Sequence, residues 1–74
     1  MTPSVGRIVH FYVVESERAN NGGREFCPAV ITHVHAPNTV NLKLLYDGEY
    51  TGYASSVPQG EKTPYTWCWP PQVK

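Results

Sequence analysis

The chain has 74 residues, 41% of them apolar and 12% aromatic, with seven prolines and six glycines, so it reads as one turn-rich folded domain near the lower size for a self-sufficient core, where self-association is an expected source of further burial. Six Lys/Arg balance six Asp/Glu and no two basic residues adjoin, which excludes the basic footprint of a protein that binds a nucleic-acid polymer. No apolar run approaches the ~20 residues of a bilayer span, and the opening Met-Thr-Pro-Ser-Val-Gly has neither the basic start nor the apolar stretch of a secretion signal, so the expected setting is cytoplasmic, with no membrane partner.

Residues 5 to 14, V-G-R-I-V-H-F-Y-V-V, are rich in β-branched and aromatic types and lack helical spacing, which predicts a strand. Alternation places Val9, Phe11 and Val13 on one face and Ile8, His10, Tyr12 and Val14 on the other. Residues 15 to 25 are polar and acidic and contain Asn-Asn-Gly-Gly, a sequence that tolerates left-handed backbone; they read as a mobile loop. The second strand is expected over 26 to 36, with Pro28 at its start or on an edge because it lacks an amide donor. There, Ile31, His33 and His35 share one face, and Val30, Thr32 and Val34 the other.

After the turn at Ala36-Pro37-Asn38, residues 39 to 46 alternate well, with Val40, Leu42, Leu44 and Tyr46 inward. Asp47-Gly48 is a hairpin signal. A fourth strand follows over 49 to 57, bent at Gly52, then a polar loop over 58 to 64, and Y-T-W-C-W as the fifth strand. Five short antiparallel strands with no credible helix predict an all-β domain, a small SH3-like barrel or, as the alternative, an OB-like barrel, since closure hides sheet edges.

The residues offer several constellations. His33 and His35 point the same way from one strand, but two ligands make no metal site, and neither C-x-x-C nor H-x-x-x-H spacing supplies a third from His10, Cys27 or Cys68. Cys27 and Cys68 read as free thiols, because a secreted disulfide scaffold of this size carries more cysteines. No local signature ties a cysteine or Ser55-Ser56 to a base, and no phosphate-binding loop is present, so neither an enzyme nor a cofactor is expected. Tyr65, Trp67 and Trp69 share a face of the last strand. They serve either as core or as a stacking surface, and Arg7 and Arg24 are available to an anion.

The ordered blocks G-R-I-V-H-F, A-V-I-T-H-V, V-N-L-K-L-L-Y-D-G and W-C-W-P-P resemble a set of small tailed-phage and prophage proteins. The matching positions are Gly6, Arg7, His10, Val40, Asn41, Leu42, Trp67, Trp69 and Pro70. The resemblance implies a phage accessory protein with a compact β-barrel in the host cytoplasm, acting on the host without catalysis. The expected function is then to counter host defence by sequestering a small nucleotide signal in a homo-oligomer, with Arg7, His10, Tyr12, Asn41, Trp67 and Trp69 as the binding residues. The alternatives are a module that binds a host or virion protein and a minor structural component of the virion.

Overall fold

The computed structural model describes residues 2–71. It contains β1 (Ile8–Tyr12), a 3-10 helix (Glu15–Asn21), β2 (Phe26–Ala36), β3 (Thr39–Leu45), β4 (Thr51–Pro58) and β5 (Thr66–Cys68). The strands form one antiparallel sheet in the order β4-β3-β2-β1-β5. The sheet curls until the end of β4 meets β5: Gln59 bridges Trp67, and the Gly60 N–H donates to the Trp67 carbonyl at 2.9 Å. The domain is therefore all-β, a five-stranded half-barrel consistent with a small SH3- or OB-like barrel. Its first four strands run as a simple meander, which favours the SH3-like form over a Greek-key path.

Alternation accounts for the core. Val9, Phe11 and Val13, then Cys27, Ala29 and Ile31, then Val40, Leu42 and Leu44 are buried with Ala54, Val57 and Trp67. Trp67 heads the largest fully buried side chains. Its indole N–H is satisfied by the Asn38 carbonyl at 3.0 Å, which ties β5 to the β2–β3 turn. A buried tryptophan needs such a partner, because an unmade hydrogen bond in a dry interior is costly.

The 15–25 segment is not the loose connector its composition predicts. Residues 15 to 21 form the 3-10 helix, and Asn21 is buried. Asn21 Nδ2 donates to the carbonyls of Arg24 and Phe26 at 3.1 and 2.9 Å, and its Oδ1 accepts the Asp47 N–H at 3.1 Å. One amide side chain thus joins the β1–β2 connection to the β3–β4 hairpin. The approach is close: a Cβ at Gly22, whose φ is +63°, would meet Asp47 Oδ2 at 2.7 Å.

Three further expectations change for local reasons. A register shift between Ile31 and His33 turns β2 over; Ile31 stays in the core, while His33 and His35 face solvent with ring centroids 4.5 Å apart. Val34 takes the inward position and packs on the core. The expected bend at Gly52 is absent, since Gly52 pairs regularly with Leu44; the irregularity lies between Ala54 and Val57. There Ser56 has φ +52°, and its N–H donates to Asn41 Oδ1 at 2.9 Å. Tyr65, at φ +61°, stands outside β5.

Left-handed backbone is unfavourable for serine, so Ser56→Gly is expected to raise the unfolding free energy by about 0.5–1 kcal/mol after allowing for the freer unfolded glycine. Urea denaturation of the two proteins checks this. An unchanged or lower midpoint would mean that the bulge stores no backbone strain.

Candidate ligand-binding site

The convex face of the sheet is unusually apolar where β2, β1 and β5 lie side by side. The pairing places Pro28, His10 and Cys68 in one row and Phe26, Tyr12 and Thr66 in the next. These residues alternate with the core positions of the same strands, so they point outward. Phe26 packs on His10 at 4.6 Å with a 30° interplanar angle and on Tyr12 at 5.6 Å with 36°. Trp69, just past β5, walls the far side with Pro71, and Lys62 stands at the rim. The result is an open groove of about 400 Å³ lined by rings, a thiol and one ammonium group.

The electrostatics follow from this partial burial. Desolvation pushes the His10 imidazole below its ordinary 6.5, so near neutral pH it serves as an uncharged ring. Desolvation raises the Tyr12 phenol, aided by Cys68 and Glu25, which keeps its hydroxyl protonated and able to donate. The Cys68 thiol is also raised, by burial first, with Lys62 opposing and Glu61 adding to the shift. Its low thiolate content makes it a poor nucleophile. Cys27, within the core, is pushed up to about 11 by burial, offset in part by a backbone hydrogen bond from Leu45. Lys62 is the one lysine or arginine lining the groove among the described residues.

The expected site residues do not form a single cluster. His10, Tyr12 and Trp69 line the groove. Arg7 sits beside it, its guanidinium carbon 5.6 Å from the Trp69 ring centroid, close enough for a cation–π attraction. Trp67 is fully buried and meets Trp69 edge-on at 5.3 Å from the inside; it supports the groove without lining it. Asn41 lies on β3, where its Oδ1 holds the Ser56 N–H and His35 Nε2, the latter at 2.8 Å. Its role there is to fix the β4 bulge. Phe26, Lys62, Cys68 and Pro71 complete the groove and were not among the expected binding residues.

The geometry defines a class: a small β half-barrel with an aromatic groove, edged by a single ammonium group, on its outer face. No protein family, curated protein or solved structure matches the chain. Among the described residues, no group of three or more His, Cys, Asp and Glu is placed to hold a metal ion, and no helix is long and apolar enough to cross a membrane.

Proposed function

We propose that the protein is a non-catalytic binding protein that holds a small nucleotide in the groove between Phe26 and Trp69. The observation that carries this reading is the combination of four ring-bearing side chains, His10, Tyr12, Phe26 and Trp69, with Lys62 at the rim of one open groove. A base stacks on such rings with about 1–3 kcal/mol apiece, and a lone ammonium at the edge suits one phosphate group. A polymer would need a basic stripe. The resemblance to small phage proteins supplies the biological setting: sequestration of a nucleotide signal of host defence, by a homo-oligomer in the host cytoplasm. Exposed Ile8 and Phe26 on the same face of the sheet supply apolar surface for self-association.

Calorimetric titration with a panel of mononucleotides, cyclic dinucleotides and ADP-ribose is expected to give saturable binding by at least one compound. Trp69→Ala and Lys62→Ala should each weaken it about tenfold, the effect of one stacked ring or one charged contact. Asn41→Gln, remote from the groove, should leave it unchanged once folding is verified. If no compound binds, or if Asn41→Gln weakens binding as much as Trp69→Ala, the groove is not a nucleotide site.

A further inference from the structure

The core of the half-barrel is sealed everywhere except along one seam. Phe11, Val13, Leu44 and Ala54 are the core side chains that solvent still reaches, at 1–4% exposure against 0% for the others. These same four line one pocket of about 150 Å³, together with Tyr53 and Tyr65. It opens where the two ends of the sheet separate. On one side of it, Gln59 bridges Trp67, and Tyr65 Oη donates to the Ser55 carbonyl at 2.7 Å. Beyond that latch, β4 pairs with β3 alone among the described residues, and its outer edge is open. A second cleft, of about 360 Å³, shares Glu17, Tyr46 and Tyr53 with the pocket and runs along Tyr50 and Thr51. Glu17 is the one charged residue lining either cavity, and Asp47 and Glu49 occupy the adjoining turn.

Beyond nucleotide binding, we propose that this seam docks an extended cationic peptide segment, which adds as a strand to the free edge of β4. Three separate observations specify that occupant. An edge strand offers unpaired backbone donors and acceptors to another extended chain. The 150 Å³ pocket has the size and apolar lining that accept one compact hydrophobic group, here a branched aliphatic side chain that completes the seal on Phe11 and Leu44. The acidic surround, with Glu17 bordering both cavities, complements a lysine or arginine flanking that side chain. Side chains of an added strand alternate between faces, so a Val-Lys repeat sends its valines toward the pocket, while its lysines, on long flexible stems, fold back over the strand edge to the Glu17 carboxylate that borders it.

The test is an NMR titration of the isotope-labelled full chain with the capped octapeptide (Val-Lys)₄. The expected result is saturable shifts and slowed amide exchange at Thr51–Ser55, with (Val-Glu)₄ and (Ser-Lys)₄ each binding about tenfold more weakly. Glu17→Gln and Glu17→Lys, at a position whose carboxylate accepts an exposed hydrogen bond from Asn20 Nδ2 at 3.0 Å, should weaken (Val-Lys)₄ progressively. The proposal is overturned if about 1 mM (Val-Lys)₄ shifts nothing, if (Ser-Lys)₄ binds equally well, or if the shifts fall on His10 and Tyr12. Concentration-dependent shifts at Thr51–Ser55 without peptide, with a dimer in sedimentation, would overturn it in favour of a second copy of the chain.

Discussion

Trp67→Ala is expected to lower the unfolding free energy by about 3–5 kcal/mol, the range for deleting a fully buried large aromatic side chain. A chain of this length has only about 4–11 kcal/mol in total, at the per-residue stability of ordinary domains, so the variant should be largely unfolded or close to it at 37 °C. The cost has two sources. Removal of the indole leaves a cavity in the core, and it takes away one of the two donors to the Asn38 carbonyl, the indole N–H at 3.0 Å, leaving only the Gln59 N–H at 2.8 Å. Trp67→Phe separates them: the ring persists, the hydrogen bond is lost, and the expected cost falls to about 1–2 kcal/mol. Urea unfolding of both variants is the measurement. Equal and small losses would show that Trp67 does not hold β5 in place.

The second large effect is expected at Asn21. Asn21→Ala removes the partner of two carbonyls and one amide in a buried position, and should cost about 2–4 kcal/mol, since each stranded group loses about 1–3 kcal/mol unless water reaches it. Asn21→Asp is the sharper probe. It keeps the shape but turns a carboxylate toward the carbonyls of Arg24 and Phe26, so it should be at least as damaging near neutral pH and partly rescued when the acid is protonated. Amide exchange should reveal where the damage lies: the Asp47 N–H loses protection in Asn21→Ala, which removes its acceptor, and not in Asn21→Asp, whose carboxylate still accepts it. A retained Asp47 amide with unchanged stability would mean that the 3-10 helix is held by other contacts.

The strands β1 and β3 were legible because each carries a clean alternation of its own, as in Val40, Leu42 and Leu44, and Asp47-Gly48 marks the hairpin between β3 and β4. The irregular parts were not, and for different reasons. Asn21 looks like one more loop residue, since its three partners come together only when the hairpin folds back on it. The shift at Thr32 that separates Ile31 from His33 follows from pairing with β3, which a single strand does not encode. Half of the candidate groove was visible in the outward alternation of His10 and Tyr12. Phe26 escaped notice because its place beside both depends on the β1–β2 register. Trp67 and Trp69 looked equivalent at alternate positions, yet β5 ends at Cys68, so one ring enters the core while the other turns to the surface.

The path of the sheet also sets an order in time. The first four strands pair with their neighbours in the chain, whereas β5 must find β1, the strand most distant from it in sequence. Contacts of long sequence separation are slow to form, because the intervening chain loses its freedom before they contribute. Until β5 docks, the meander has two unpaired edges, and Trp67, the side chain that fills its middle, is absent. During that interval a newly made chain is most open to its own copies, and its susceptibility to misassembly depends on how quickly three residues, Thr66 to Cys68, reach their place.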